Sequence, residues 1–154
     1  MSLETEVKLL RKVSLLADVE HARLKLLAFT SQWETYQAGD FLCRQGEVGD
    51  SAFIIIEGVA EVIVDSPEGE VTIATRGAND VIGEIAILCD VPRTASVRAQ
   101  GKLKTLKVTK EVFLQLITGY PETAVAILRI LADRLQKTTT QLREAMARGA
   151  PAGQ

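Results

Sequence analysis

The sequence predicts a mainly β domain, an antiparallel β jelly roll (double-stranded β-helix), with helices at both ends of the chain. Between positions 32 and 109, short runs of β-branched residues are separated by clusters of Gly, Asp, Asn and Pro, which favour turns. Before and after this region, apolar residues recur every three or four positions, as in amphipathic helices. With 154 residues, the chain can form one domain with its own hydrophobic core.

Residues 3–31 are predicted to form two helices. Asp18 is predicted to cap the second helix, because its carboxylate can accept a hydrogen bond from a free amide of the first turn. The residues that define the apolar faces are Val7, Leu10 and Val13 in the first helix, and Leu24, Leu26 and Leu27 in the second.

The jelly roll is predicted over residues 32–109. In one strand candidate, Ala60, Val62 and Val64 share a face, as they do in a half-buried strand. Turn signals separate this candidate from its neighbours. The candidates are residues 33–36, 41–44, 52–56, 60–64, 71–75 and 95–99.

Two C-terminal helices are predicted over residues 110–147. Thr109 can cap the first, Gly119 ends it, and Pro121 begins the second, which extends to about Met146. Residues 1–147 therefore form one predicted domain, and residues 148–154 a flexible tail. The last helix carries a short heptad pattern that favours a homodimer as one interpretation; its members are Leu128, Leu131, Leu135, Thr138, Leu142 and Ala145.

Composition argues against several classes of protein. The net charge of −2 gives no broad positive surface for nucleic acid, so no DNA partner is expected. No apolar run is long enough to cross a membrane and the first residues do not resemble a secretion signal, so a cytoplasmic protein without a membrane partner is expected. His21 is the only histidine, which disfavours a histidine-based metal centre or a metal-dependent enzyme. Cys43 and Cys89 are predicted to be buried, unreactive thiols.

One segment interrupts the strand pattern and carries the groups for binding an anion. Gly83 allows a close approach of the backbone, and the short helix after it can direct free amides toward a phosphate. Arg93 offers a planar guanidinium that can bind two phosphate oxygens at once. Glu84 would repel a phosphate, but it can accept hydrogen bonds from hydroxyl groups such as those of a ribose.

This segment resembles the phosphate-binding segment of cyclic nucleotide-binding domains, a family that includes the catabolite activator protein, the regulatory subunits of cyclic-AMP-dependent kinase and the cyclic-nucleotide-gated channels. The shared pattern is Gly-Glu-Ile/Leu-Ala, several residues, then Arg-Thr/Ser/Ala-Ala. It is matched here by Gly83-Glu84-Ile85-Ala86 and by Arg93-Thr94-Ala95. Residues 45–55 and the turn at Gly58 resemble the family's second and third strands, and the resemblance covers roughly residues 9–142.

The resemblance implies a ligand, cAMP or cGMP, and a site, but no cofactor, metal or catalysis. Arg93 is expected to bind the cyclic phosphate and Glu84 the ribose 2′-hydroxyl. Asp50 is expected to couple the arginine to the neighbouring strand loop, and Thr94 to contact phosphate or base. The remaining expected site residues are Gly83, Ile85, Ala86 and Ala95 around phosphate and sugar, and Val62, Ile73 and Ile82 around the base.

The resemblance leaves several alternatives open. Glu84 and Arg93 can instead form a structural ion pair, Asp50 an ordinary turn, and Thr94 an ordinary strand position. In the family, the C-terminal helix serves as a lid over the base, as a dimer seam, or as both. The chain has no helix-turn-helix segment after this helix, which suggests a regulatory module without an attached output domain that acts on an unidentified protein partner. The alternative function is a protein-interaction domain that no longer binds nucleotide.

Overall fold

A computed structural model describes residues 2–149 and confirms the predicted fold class. Eight strands lie within this range and form two antiparallel four-stranded sheets, with helices before and after them. The elements are α1 (Leu3–Arg11), a 3-10 turn (Ser14–Leu16), α2 (His21–Thr30), β1 (Gln32–Tyr36), β2 (Phe41–Cys43), β3 (Ser51–Glu57), β4 (Ala60–Ser66), β5 (Gly69–Arg76), β6 (Val81–Ile82), α3 (Glu84–Leu88), β7 (Ser96–Ala99), β8 (Leu103–Thr109), α4 (Lys110–Gly119) and α5 (Pro121–Gly149).

The two sheets have the strand orders β1-β8-β3-β6 and β2-β7-β4-β5. Strand β3 connects the two hydrophobic cores of the domain, because it is buried on both faces. Ala52 and Ile54 point to one core, which they share with the helices, while Phe53 and Ile55 point to a second core between the sheets. Successive side chains of a strand point to opposite faces, so the uninterrupted apolar run of β3 serves both cores.

All six predicted strands are present with small shifts of their ends, but β6 and β8 were missed. Strand β6 has only two residues, too few to show a pattern. In β8, Leu103 and Leu106 are three positions apart, and the adjacent Thr105 and Leu106 are both fully buried. The period of two that identifies a strand is therefore broken.

The predicted capping role of Asp18 is wrong. Helix α2 begins at His21, its N-cap residue is Glu20, and no side chain caps it. The preceding segment is held instead by Arg11, whose Nη1 donates to the carbonyl oxygens of Ala17 (3.2 Å) and Val19 (2.6 Å). These bonds keep residues 17–19 in a turn, so the helix begins only after it.

The C-terminal helices begin as predicted, but the second is longer. The Thr109 hydroxyl accepts a hydrogen bond from the amide of Val112 (3.3 Å), which caps α4, and Pro121 begins α5. Helix α5 continues to Gly149, two residues into the predicted flexible tail. The rest of that tail, residues 150–154, lies outside the described residues.

Candidate functional site

A cavity of about 420 Å³ lies between β4, β5, the β6–α3 turn and helix α5. It is the place where ten of the eleven predicted site residues meet. The phosphate and sugar residues that line it are Gly83, Glu84, Ile85, Ala86, Arg93, Thr94 and Ala95, and the predicted base residues are Val62, Ile73 and Ile82. The structure therefore assembles the predicted site from four separate segments of the chain.

Gly83 joins β6 to α3 in a conformation that favours glycine. Its φ is +83°, in the left-handed region, and it is the N-cap residue of α3. A Cβ atom at this position would lie 2.5 Å from Arg93 Nη1 and 3.3 Å from the carbonyl oxygen of Ser51. The turn therefore needs glycine for both its backbone angles and its contact with the arginine.

Arg93 is a buried cation, with 6% of its surface exposed. Its Nη1 donates to the carbonyl oxygen of Gly83 (3.1 Å), and its Nη2 donates to the carbonyl oxygen (2.9 Å) and hydroxyl (3.4 Å) of Ser51. Within residues 2–149, no carboxylate lies within the 4.0 Å ion-pair distance of this guanidinium. A buried charge is costly without a counter-ion, so this arrangement favours the binding of an anion.

Asp50, predicted to couple Arg93 to the neighbouring strand loop, is exposed and does not line the cavity, and this role stays a prediction. Its Oδ1 hydrogen bonds to the hydroxyl of Ser51 at 3.2 Å, and Ser51 in turn meets Arg93. Ser51 is 3% exposed, and its hydroxyl thus lies between Asp50 and Arg93.

The structure does not contain the alternative ion pair between Glu84 and Arg93. Glu84 is 3% exposed, and its Oε1 accepts a hydrogen bond from Arg134 Nη1 at 2.7 Å. Arg134 comes from helix α5, and its Nη2 donates to the carbonyl oxygen of Val81 (2.5 Å). The two groups proposed for phosphate and ribose therefore have separate partners.

Arg134 and Arg76 line the cavity but were not identified from the sequence. A signal existed for Arg134, because it lies three residues after Leu131 and four before Thr138, on the helix face that meets the cavity. Burial, and then the nearby charge of Arg134, lower the pKa of Arg76. Three guanidinium groups and the carboxylate of Glu84 are thus the charged groups among the described lining residues, and they leave the cavity positive.

The remainder of the lining is largely apolar. Ile82 is buried and Val62 is half-buried, whereas Ile73 is exposed at the rim. Helix α5 contributes Leu131 and Leu135 from the opposite side. This surface is suited to a flat, weakly polar group such as a purine base.

The two cysteines differ in their surroundings. Cys43 is buried in the cavity wall, and burial raises the pKa of its thiol. Cys89 is exposed at the end of α3, so the prediction of a buried thiol is wrong for this residue.

No group of three or more His, Cys, Asp and Glu side chains in residues 2–149 is arranged to hold a metal ion. None of the helices in the described part of the chain combines the length and apolarity needed to cross a membrane.

Residues 33–120 match the model of the cyclic nucleotide-binding domain. The chain is 38% identical over 131 residues to a cAMP-dependent protein kinase regulatory subunit of Blastocladiella emersonii, covering 84% of this chain and 30% of that protein. It is 27% identical over 136 residues to a CRP-like cAMP-activated global transcriptional regulator of Mycobacterium tuberculosis, covering 88% of this chain and 61% of the regulator. The chain thus spans less than two thirds of each of these relatives.

Solved structures share the fold. The regulatory domain of Toxoplasma gondii PKA, crystallised with cAMP, superposes with a TM-score of 0.72 at 23% identity, over 84% of this chain and 50% of that one. The Thermus thermophilus catabolite activator protein gives a TM-score of 0.71 at 25% identity, over 84% of this chain and 62% of that one.

Proposed function

The chain belongs to the cyclic nucleotide-binding domain family, and from that premise we propose that it binds cAMP or cGMP in the cavity as a regulatory module. The observation that carries the proposal is Arg93, a buried guanidinium with no carboxylate counter-ion within 4.0 Å among the described residues. A cyclic phosphate has one negative charge and would supply that counter-ion. The family is one of regulatory binding domains, and we propose that this chain likewise performs no catalysis.

The proposed contacts follow the lining of the cavity. Arg93 binds the phosphate, assisted by backbone groups at Gly83, Ala86 and Ala95, because a guanidinium matches two phosphate oxygens. Glu84 accepts the ribose 2′-hydroxyl. Ile85 and Thr94 line the same end of the cavity as the phosphate and the ribose. Helix α5 encloses the base together with Val62, Ile73 and Ile82.

We further propose that the signal is transmitted through helix α5, as a lid over the base and as a dimer seam. Leu128, Leu135 and Leu142 are each about 60% exposed or more at heptad spacing, which leaves an apolar stripe for a second copy. The excess of positive charge in the cavity is local, so we propose no contact with DNA or a membrane. The module would act in the cytoplasm on a separate protein partner.

One observation favours a second function, that of a protein-interaction domain without a ligand. Arg93 and Glu84 are both hydrogen bonded to groups of the chain itself, so both side chains have partners without nucleotide. In such an interaction domain the cavity would stay empty, and the exposed face of α5 would be the functional surface.

Thermal unfolding with saturating cAMP, cGMP or 5′-AMP separates the two functions. A ligand at 100 times its Kd stabilises the folded state by about 2.7 kcal/mol, which raises Tm by roughly 5–10 °C in a chain of this size. We expect such a shift with at least one cyclic nucleotide and a smaller one with 5′-AMP, whose open phosphate does not fit the same contacts. No shift with either cyclic nucleotide would support the interaction domain instead.

A further inference from the structure

Phe53 lies next to the guanidinium of Arg93, on the side away from the cavity. The Cζ atom of Arg93 is 5.7 Å from the centroid of the Phe53 ring, within the range of a cation–π contact. Phe53 is 1% exposed and Arg93 is 6% exposed, so water screens this attraction little. Phe53 itself does not line the cavity. Any influence of this ring on a ligand therefore acts through its neighbours.

The strand register fixes the place of the Phe53 ring. Phe53 lies opposite Lys107 of β8 and opposite Ile82 of β6. Side chains directly opposite one another lie on the same face of a sheet, so the ring stands between Lys107 and Ile82. Phe53 and Ile82 are both buried in the core between the two sheets. Packing on both sides thus holds the ring in one position beside Arg93.

A second cation approaches the same ring. The Nζ atom of Lys107 is 5.9 Å from the centroid of Phe53. The face of an aromatic ring carries negative potential and attracts cations. The ring therefore favours the placement of two positive charges beside it, whereas an aliphatic side chain of similar size would only fill the space.

The hydrogen bonds of Arg93 leave part of its guanidinium for a ligand. An arginine has five N–H groups. Within residues 2–149, three hydrogen bonds go to the carbonyl oxygen of Gly83 and to the carbonyl oxygen and hydroxyl of Ser51, which leaves two N–H groups for a ligand. A phosphate that accepts both needs a guanidinium plane of defined orientation.

We propose that Phe53 is a positioning residue of the nucleotide site, whose ring face holds the Arg93 guanidinium in the orientation that presents its two remaining N–H groups to the phosphate. The inference rests on the proposed function. A guanidinium that is already oriented loses less conformational freedom on binding, so the ring raises the affinity without touching the ligand. The ring acts through the electrostatic potential of its face, and this separates it from a residue that only fills the core.

Phenylalanine analogues at position 53 with one, two or three fluorine atoms on the ring test the proposal. Fluorine withdraws electron density from the face of the ring and weakens its attraction for a cation, but changes the ring volume little. Calorimetry with cAMP and cGMP measures the affinity of each form. We expect the affinity to fall stepwise with the number of fluorine atoms, by about fivefold in total, which is equivalent to about 1 kcal/mol.

Phe113 is the matched control. It is 2% exposed and packs in the other core, and within the described part of the chain no cation–π contact involves its ring. The same analogues at position 113 should leave the affinity unchanged. Phe53→Leu and Phe113→Leu extend the comparison, because both should lower Tm by leaving a cavity, but Phe53→Leu should also weaken nucleotide binding at least about fivefold.

The results separate this inference from the proposed function. If the wild type binds nucleotide and the fluorinated forms at position 53 bind equally well, Phe53 only fills the core and the proposed function stands. Tighter binding by the fluorinated forms also contradicts the inference, because the ring would then compete with the phosphate for Arg93. Equal losses of affinity at positions 53 and 113 would assign the effect to stability instead. A wild type that binds neither cAMP nor cGMP overturns both proposals.

Discussion

Arg93 and Glu84 are nine residues apart in sequence, yet each is bound by different groups. Within residues 2–149, the hydrogen bonds of the Arg93 guanidinium go to carbonyl and hydroxyl oxygens, whereas Glu84 has a charged partner from α5. The arginine therefore retains a charge that an anion can neutralise. The carboxylate retains an acceptor for a neutral hydroxyl.

Replacing Arg93 with Lys tests the geometry of the phosphate contact. The charge is kept, but an ammonium group cannot donate simultaneously along the two directions of the guanidinium fork. We expect the affinity for cyclic nucleotide to fall at least tenfold, equivalent to about 1.4 kcal/mol or more, as measured by calorimetry. Wild-type affinity in this variant would refute the assignment of Arg93 to the phosphate.

The surroundings of Tyr36 predict how the unfolding free energy changes at alkaline pH. Burial, followed by the hydrogen bond from its hydroxyl to Glu34, raises the pKa of Tyr36 well above its usual value. The folded chain therefore keeps a proton that the unfolded chain releases above about pH 10, so this contribution to stability is present below pH 10 and is lost as the pH rises. Relative to Tyr36→Phe, the wild type should lose up to about 1.4 kcal/mol of unfolding free energy per pH unit above 10.

Urea unfolding of both proteins between pH 8 and 11 measures this difference. Because the other titratable groups are common to the two proteins, their contributions cancel in the comparison. Parallel pH profiles for the wild type and Tyr36→Phe would show that the Tyr36 hydroxyl titrates normally in the folded chain.

At the scale of elements, the junction between β8 and α4 depends on one side chain. Thr109 ends the last strand and caps the following helix through the bond from the Val112 amide to its hydroxyl. Helix α4 in turn places Phe113 and Leu116 in the core shared with α5. A weaker cap is therefore expected to reduce the stability of the whole domain.

Thr109→Ala removes the cap and should lower the unfolding free energy by about 1 kcal/mol, or Tm by roughly 2–4 °C. Thr109→Ser keeps the hydroxyl and should remain close to the wild type. Differential scanning calorimetry checks both. Equal losses in the two variants would show that the Thr109 methyl group, rather than its hydroxyl, is what matters.

At the scale of the whole molecule, the distal half of α5 extends from the domain with an apolar stripe. Leu128, Leu135, Leu142 and Met146 are between 59% and 68% exposed in the isolated chain. Exposed apolar stripes of this kind are commonly covered by a partner. A second copy fits the heptad spacing, and this is the basis of the proposed homodimer.

Leu142→Asp should weaken the proposed homodimer at least tenfold, because a carboxylate would be buried in the seam. Thr140→Asp is the matched control, since two residues along a helix turn the side chain about 200° away from the stripe. Sedimentation equilibrium measures both variants against the wild type. A wild-type protein that stays monomeric at all concentrations would exclude the dimer.

The fold class, six of the strands and the segment from Gly83 to Ala95 could be predicted from the sequence. The fold class and the strands depend on local chemistry, namely the period of the apolar residues and the turn residues between them, and the segment was recognised by its resemblance to the family's pattern. Such patterns are contained within a few neighbouring residues. They can therefore be recognised before the chain is folded.

Which groups meet in the cavity depends on how distant segments of the chain pack together. The folded chain brings Arg134 into contact with Glu84, 50 residues away, and Ser51 into contact with Arg93, 42 residues away. Strand β8 was also recognised only in the structure, because its buried and exposed residues do not alternate regularly. Its pairing with β1 and β3 identifies it as a strand. The physical reason is that side-chain pairing between distant segments follows from how the elements pack, and no local period in the sequence encodes it.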